Sequence, residues 1–86
     1  MEYEMYVIYD ARSNKYSTPM CFDNDAVATR EIVTNAMKPY TVANTHPEDF
    51  IVYKIGVYNE TDGVINSFSK PERICGLNDY IVKENN

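Results

Sequence analysis

Tyrosine is the residue type through which this sequence offers most chemistry, with eight tyrosines among 86 residues, three phenylalanines and no tryptophan. Aromatic rings exposed on a β-sheet stack on the bases of single-stranded nucleic acids, while nearby Arg or Lys side chains hold the phosphates. Tyr6, Tyr53 and Tyr58 lie in predicted strands, and Lys54 lies among them. The same rings would also serve to pack a small core or to form a self-association surface. The sequence alone leaves these three uses open.

Further basic residues accompany the predicted turns and helix. Arg12 and Lys15 fall on the first turn, and Arg30 and Lys38 fall on the helix. The predicted nucleic-acid contacts are Arg12, Lys15, Arg30, Lys54, Tyr6, Tyr53 and Tyr58. The net charge of −5, from 8 basic and 13 acidic residues, has the wrong sign for binding driven by bulk electrostatics, so we expect any DNA contact to be weak. A solvated surface is the alternative role for these cations.

Residues suited to catalysis or metal binding are few. The single histidine, His46, precedes Glu48 and Asp49 across a proline, and the three could form an oxygen-rich metal site or an acid–base set. A proline-fixed turn leading into a strand explains the same residues more simply. Cys21 with His46 could act as nucleophile and base, but no neighbouring residue would activate the thiol. We therefore expect a protein that is not an enzyme and has no metal or cofactor.

Cysteine usage and the N-terminus bear on the compartment. Cys21 and Cys75 are far apart and have no metal-like spacing, so two reduced, packed thiols are expected rather than a disulfide. The N-terminus has acidic residues where a signal peptide has basic ones. No apolar run approaches the roughly 18 residues that a membrane span needs. We expect an intracellular protein with no membrane partner.

Five predicted elements must position these side chains. Runs of β-branched and aromatic residues predict strands, and Asp, Asn, Gly or Pro residues separate them. The order is strand 3–9, a weaker strand 15–22 interrupted by Pro19, helix 25–37, a loop 40–49, strand 50–58 and strand 64–68. The connection 59–63 contains a glycine that tolerates positive φ, so the last two strands are predicted to form a hairpin.

The helix has clear start and stop signals. Asp23 and Asn24 are both suitable N-cap residues, and Asp25 places a negative charge in the first turn. Lys38 is favoured at the C-terminal end, and Pro39 stops the helix. The two aspartates could instead bind a cation, but helix capping is the simpler explanation. Apolar residues at spacings of three and four predict that one helix face packs on the sheet.

The predicted fold class is α+β, with a small antiparallel sheet of about four strands and one main helix packed across one face. Ile51, Tyr53, Ile55 and Val57 alternate along the strongest strand pattern. Since alternate residues of a strand point to the same side, these four are predicted to share one apolar face.

The length of the chain predicts a single domain over residues 1–86. Its core is expected within about 3–68, where the strand and helix patterns lie. The apolar spacing within 69–86 fits either a short helix or a final edge strand, and the sequence does not separate them.

The order of several short motifs resembles a known viral family. The motifs are Asp10-Ala11-Arg12, then Asn24 to Arg30, then His46-Pro47-Glu48-Asp49-Phe50, then Tyr53-Lys54-Ile55-Gly56, and then Thr61-Asp62-Gly63. Together they resemble the small non-structural protein of gokushovirus-type microviruses, which are single-stranded DNA phages. The resemblance extends from near the N-terminus to about residue 68 and rests on motif order rather than on one specific motif.

The resemblance implies a viral accessory protein, absent from the capsid, in the cytoplasm of the infected bacterial host. Such proteins are often labelled DNA-binding or linked to genome synthesis. One hypothesis is therefore a non-enzymatic protein that contacts single-stranded DNA weakly during phage replication or packaging. The other is an interaction module that binds a viral protein, a host protein or a second copy as a homodimer through a tyrosine-rich sheet face, which the acidic charge favours.

Overall fold

Five strands form one antiparallel sheet in the computed structural model, which describes residues 1–80. The elements in chain order are β1 (Glu2–Asp10), β2 (Lys15–Tyr16), β3 (Met20–Phe22), α1 (Asp25–Ala36), α2 (Val42–Thr45), β4 (Phe50–Asn59) and β5 (Ile65–Gly76). Two 3₁₀ turns, Pro47–Asp49 and Leu77–Asp79, precede β4 and follow β5. The sheet order is β2-β1-β4-β5, and β3 also pairs with β1. This arrangement matches the predicted α+β class with one main helix.

The predicted weak strand at 15–22 is two short strands along one edge of β1. β2 pairs with Tyr9 and Asp10, while β3 pairs with the segment from Glu4 to Tyr6. Between them, the Ser17 backbone N–H donates to the carbonyl of Ile8, and the Ile8 N–H donates to the Ser17 hydroxyl. The interruption expected from Pro19 is therefore present, because proline cannot donate to a strand ladder.

Helix α1 begins and ends almost where the sequence predicts. The side chain of Asn24 accepts a hydrogen bond from the Val27 N–H at 2.9 Å, so Asn24 is the N-cap. Ala28, Ile32 and Ala36 are the buried residues of the helix. Two of these three are alanines, so the helix can lie close to the sheet.

The segment predicted as a loop at 40–49 contains a short helix. The Thr41 hydroxyl accepts from the Asn44 N–H and donates to the Ala36 carbonyl at 2.8 Å. This one side chain therefore caps α2 and ties it to the end of α1. Sequence reading missed α2 because its four residues provide no periodic pattern.

Strand β5 is longer than the predicted 64–68 and continues through Pro71 to Gly76. For the segment 69–86, the edge-strand alternative holds up to Gly76, and a short 3₁₀ turn follows at Leu77–Asp79. The remainder of that prediction, residues 81–86, lies outside the described residues. Cys75 and Leu77 are buried in the core, so the core includes residues beyond 68.

A bulge interrupts the pairing between β4 and its neighbours. Lys54 pairs with Glu72 and Gly56 pairs with Ser67, so four residues of β5, 68–71, lie opposite Ile55 alone. A Cβ at Gly56 would lie 2.5 Å from the backbone oxygen of Asn66, so only glycine fits this close approach. Pro71 is tolerated because it lies in the irregular part of an outer strand.

The bulge corrects the predicted apolar face of β4. Val7 and Tyr9 pair with Tyr53 and Ile51, but Met5 and Tyr3 pair with Gly56 and Tyr58. Since directly paired residues share a face, Tyr58 and Gly56 continue the face of Tyr53, and Val57 lies on the other side. The prediction that Val57 belongs with Ile51 and Tyr53 is wrong for this reason.

Candidate functional site on the open sheet face

The two faces of the sheet have different surroundings. Helix α1 packs on the face that carries Tyr6 and Val52, and these residues form one core with Ala28, Ile32 and Leu77. The opposite face, here called the open face, is defined by the strand register. It comprises Tyr3, Met5, Val7, Tyr9, Tyr16, Cys21, Ile51, Tyr53, Gly56, Tyr58, Ile65, Ser67, Arg73 and Gly76. The core cluster of the described residues contains no residue of this face, although Met5 and Val7 in its centre are themselves buried. The exposed members of the open face lie on the outer strands β2, β3 and β5.

Three tyrosine rings lie against one another on the open face, and we call them the tyrosine cluster. Tyr9 and Tyr16 are directly paired across β1 and β2, and their ring centroids are 4.6 Å apart. Tyr53 meets Tyr9 at 6.4 Å and Tyr16 at 6.3 Å, both nearly edge-on. Tyr16 is 55% exposed, so the cluster presents aromatic surface to solvent.

A turn fixes one side of the tyrosine cluster. Asn14, in the turn between β1 and β2, has a φ of +57°, a left-handed conformation that asparagine tolerates better than most residues. Its side-chain oxygen accepts a hydrogen bond from the Tyr9 hydroxyl at 2.7 Å. Tyr9 is therefore held by its hydroxyl as well as by its neighbouring rings.

Arg73 adds a positive charge beside the tyrosine cluster. It is exposed and is the direct β5 partner of Tyr53. A Cβ at Gly76 would lie 3.1 Å from the Nη2 atom of Arg73, so the guanidinium lies over the glycine. Within residues 1–80, no carboxylate lies within salt-bridge distance of this guanidinium.

The strand carboxylates lie away from the open face. Glu4, Asp10 and Glu72 pair with residues of the covered face, and none of the residues that define the open face is acidic. An acid approaches the face at each end: repulsion from Glu60 raises the pKa of the Tyr3 hydroxyl at the far end, and Asp79 lies near Gly76 at the other. The end near Gly76 also carries the exposed cation Arg73, so it suits an anion better than the far end does.

Two predicted contact residues, Tyr6 and Lys54, lie under α1 in a polar network. The Tyr6 hydroxyl oxygen lies 2.5 Å from Asp25 Oδ1 and 2.8 Å from Glu4 Oε2, so its single proton is shared between the two carboxylates. The Lys54 Nζ lies 2.8 Å from Asp25 Oδ1 and 3.2 Å from Glu4 Oε2. These four side chains join β1, β4 and the first turn of α1, so Tyr6 and Lys54 serve the fold where they lie.

The network shifts the pKa values of its members. Burial raises the pKa of the Tyr6 hydroxyl, and its hydrogen bonds to Asp25 and Glu4 add to this. Hydrogen bonds from Lys54 and Tyr6 lower the pKa of the Asp25 carboxyl, against a smaller opposing effect of burial. Burial disfavours the charged form of Lys54, but its hydrogen bonds to Asp25 and Glu4 outweigh this, and its pKa is raised. Neutral tyrosine and charged lysine are thus the favoured states.

The other predicted contacts are dispersed. Arg30 lies on α1, exposed, with Nη2 3.8 Å from Glu31. Lys15 is the direct partner of Asp10, and Arg12 lies in the adjoining turn. Tyr58 lies on the open face but at the far end, paired with Tyr3. Of the seven predicted residues, Tyr53 alone belongs to the tyrosine cluster.

Sequence reasoning missed Tyr9, Tyr16 and Arg73 as site residues. Tyr9 follows from the alternation that puts it on the face of Met5 and Val7. Tyr16 would follow from a short hairpin after β1, because it then lies opposite Tyr9. No local signal places Arg73, since its pairing with Tyr53 depends on the irregular course of β5.

The remaining chemical candidates are His46 with its neighbouring acids and the two cysteines. His46 Nδ1 lies 3.8 Å from Glu48 Oε1 beside the 3₁₀ turn. Within residues 1–80 there is no group of three or more His, Cys, Asp or Glu side chains placed to hold a metal ion. Cys21 and Cys75 are both free thiols. Cys75 is buried, and burial raises the pKa of its thiol. Cys21 is exposed on the edge strand β3. The expectation of two packed thiols is therefore wrong for Cys21.

A cleft of about 450 Å³ opens between α1 and the β1 edge. Half-buried apolar side chains, among them Ile8, Phe22 and Phe50, form much of its lining. Both acidic and basic side chains, including Asp10 and Lys15, line it. This mixture favours no particular ligand charge.

The molecule is thus an antiparallel sheet with a helix on one face and an aromatic cluster on the other. The Phage ORF5 protein family matches residues 3–80, and the chain belongs to this family. Among curated proteins, cathepsin B of Dictyostelium discoideum is 40% identical over 57 residues, which are 66% of this chain and 18% of that protein. The chain thus spans less than a fifth of the length of that relative. No solved structure matches the chain significantly, and no helix within residues 1–80 is long and apolar enough to cross a membrane.

Proposed function

We propose that this phage protein is a non-enzymatic accessory protein of the microvirus type, which contacts single-stranded DNA in the cytoplasm of the infected bacterium. The observation that carries the proposal is the tyrosine cluster beside Arg73, on a sheet face whose defining residues include no acid. Membership of a phage family supports the setting. A role in genome replication or packaging follows as part of the same proposal.

The chemistry of single strands suits this face. Unpaired bases expose their rings, and stacking on an aromatic side chain contributes about 1–3 kcal/mol per base. The exposed ring of Tyr16 offers the largest stacking surface of the cluster, and Tyr9 and Tyr53 support it from the side. In a duplex the same base surfaces are covered by neighbouring base pairs. The site therefore favours single strands over duplex.

The overall charge limits the strength of the contact. With a net charge of −5, the protein gains little from general attraction to phosphates. Binding by stacking with one nearby cation gives a shallow salt dependence, because few counterions are released. We expect weak binding that high salt reduces only modestly.

Fluorescence anisotropy with a labelled oligothymidylate of about 20 nucleotides at low salt tests the proposal. The wild type is expected to bind this strand and to bind a duplex of equal length much more weakly. Tyr16→Ala is expected to weaken binding at least about fivefold, because it removes the most exposed ring. The matched control is Tyr40→Ala, since Tyr40 is 81% exposed in the connection between α1 and α2 and lies off the open face. Absence of any anisotropy change for the wild type at low salt would contradict the proposal.

A second candidate function is protein recognition through the same face. The packing of the tyrosine rings favours it. Tyr9 and Tyr16 lie against each other at an interplanar angle of 42°, which leaves no space for a base between them. Tyrosine is enriched at protein interfaces, and an acidic surface repels DNA. Light scattering across protein concentrations tests self-association, with Tyr16→Ala expected to dissociate a dimer that uses this face. A wild type that is monomeric and binds the oligonucleotide decides against this candidate.

A further inference from the structure

We propose that Arg73 is the phosphate-binding residue of the open face. Through this contact the open face selects a nucleic-acid strand over a neutral aromatic ligand. This inference rests on the proposed function. Arg73 stands directly across from Tyr53, next to the tyrosine cluster. Tyr16 lies on β2 and Arg73 on β5, at opposite edges of the sheet. A strand whose bases stack across the cluster from Tyr16 to Tyr53 would therefore bring a following backbone phosphate toward the guanidinium.

The backbone of Arg73 is held in place by the core. Val52 pairs with Cys75 and Tyr53 pairs with Arg73, so Ile74 is an extra residue in β5 and forms a small bulge. Ile74 packs against the core, and Cys75 is buried within it. The two residues that follow Arg73 thus anchor β5 on the covered face, while Arg73 itself is directed to the open face.

Gly76 provides the space that the guanidinium occupies. A side chain there would begin 3.1 Å from Arg73 Nη2, closer than ordinary packing allows. The carboxylate near this position, Asp79, accepts a hydrogen bond from the Gly76 N–H at 3.1 Å. Within residues 1–80, Arg73 forms no salt bridge with it. The guanidinium can therefore donate two parallel hydrogen bonds to a phosphate.

The other cations that the strand register places, Lys54 and Lys15, lie on the covered face. Lys54 is held by Glu4 and Asp25 on the covered face. Lys15 pairs with Asp10 on β1, so the register places it on the covered face as well. Among residues 1–80, Arg73 is the basic residue that the strand register places on the open face.

The test compares three variants in the oligothymidylate assay. Arg73→Gln is expected to weaken binding about three- to tenfold and to lower the slope of log affinity against log salt by about one. Gly76→Ala keeps every charge but displaces the guanidinium of Arg73. It is therefore expected to weaken binding, as Arg73→Gln does. Arg30→Gln removes an equal charge from α1 and is expected to leave affinity and salt slope unchanged within about 1.5-fold.

A second probe separates the phosphate contact from stacking. An oligothymidylate with an uncharged methylphosphonate backbone retains its bases, so wild type and Arg73→Gln are expected to bind it equally. Circular dichroism melting of each variant confirms that the fold is intact. If Tyr16→Ala weakens binding but Arg73→Gln changes neither affinity nor salt slope, the inference fails and the proposed function stands. If the wild type binds no oligonucleotide, both are overturned.

Discussion

Tyr6 and Tyr16 show how differently the two faces of the sheet use the same residue type. Tyr6 is 0% exposed beneath α1, and its hydroxyl shares one proton between Glu4 and Asp25. Tyr16 is 55% exposed, and its ring contacts other rings. On the covered face, tyrosine is a buried ring with a satisfied hydroxyl and stabilises the fold. On the open face, its ring is available to a ligand.

The basic residues divide in the same way. Lys54 has a side chain only 11% exposed and lies against two carboxylates. Arg73 is exposed and forms no salt bridge within the described part of the chain. The net charge therefore says little about the local charge at either face. What decides the role of each cation is the strand register that sets its face.

Deleting the two tyrosine rings gives the largest expected contrast between the faces. Tyr6→Ala removes a fully buried ring and leaves Asp25 and Glu4 without their hydroxyl donor, so it is expected to destabilise the protein by about 3–5 kcal/mol. Tyr16→Ala is expected to cost at most about 1 kcal/mol, because it removes only partly exposed ring contacts. Urea unfolding followed by circular dichroism measures both. Similar losses in the two variants would show that the open face is packed as firmly as the covered one.

Elements defined by local signals could be predicted from the sequence. Asn24, one of the two expected N-cap residues, caps α1. The predicted apolar face includes the buried Ala28, Ile32 and Ala36, but Ala26 and Met37, which were predicted on it too, are exposed. The alternation in β1 correctly separates the face of Tyr6 from the face of Val7 and Tyr9. These features depend on neighbours within a few positions, so a short window of sequence contains the information that determines them.

Features that depend on pairing between distant segments could not be predicted. The bulge opposite Ile55 moves Tyr58 onto the open face and Val57 off it, and nothing near those residues indicates it. The role of Lys54 required knowing that Asp25, far earlier in the chain, would lie 2.8 Å from it. Alternation placed Tyr9 on one face, but its contact with Tyr53 depends on how β1 pairs with β4. The candidate site was therefore only partly predictable.

Replacing the buried cation tests whether the covered face depends on its polar network. Lys54→Met keeps most of the side-chain volume but leaves Glu4 and Asp25 facing each other without a cation, so a loss of about 2 kcal/mol is expected. The control, Arg73→Met on the open face, is expected to change stability by less than about 0.5 kcal/mol. The midpoints of urea unfolding give both losses of stability, provided that the free energy of unfolding changes with urea concentration at the same rate in each variant. A Lys54→Met variant as stable as the wild type would mean that the carboxylates are solvated enough to need no partner.

Acid provides a reversible way to weaken the same network. The folded-state pKa of Asp25 is lowered, so its contribution to stability is present above its unfolded value of about 3.9 and is lost as the pH falls below about 4. The urea midpoint of the wild type is therefore expected to fall between about pH 5 and pH 3. Lys54→Met removes the main cause of the shift, so its midpoint is expected to fall less over that range. Parallel pH profiles for the two proteins would rule out Lys54 as the cause.

Removing single hydroxyls gives the finest comparison between the faces. Tyr6→Phe is expected to cost about 1–1.5 kcal/mol, because a buried hydroxyl bonded to two carboxylates is lost while Lys54 still neutralises them. Tyr9→Phe loses only the exposed hydrogen bond to Asn14, so its cost is expected below about 0.5 kcal/mol.

The same pair of variants separates ring from hydroxyl at the proposed site. Tyr9→Phe keeps its ring, so oligothymidylate affinity is expected to remain within about twofold of the wild type if stacking is what binds the base. Measured with the anisotropy assay, a larger loss for Tyr9→Phe would show that the Tyr9 hydroxyl or the Asn14 turn it anchors takes part directly. In that case the open face would bind through hydrogen bonds of its tyrosine hydroxyls. Tyrosine hydroxyls would then matter on both faces, and the contrast between the structural hydroxyl of Tyr6 and the ligand-binding rings of the open face would be wrong.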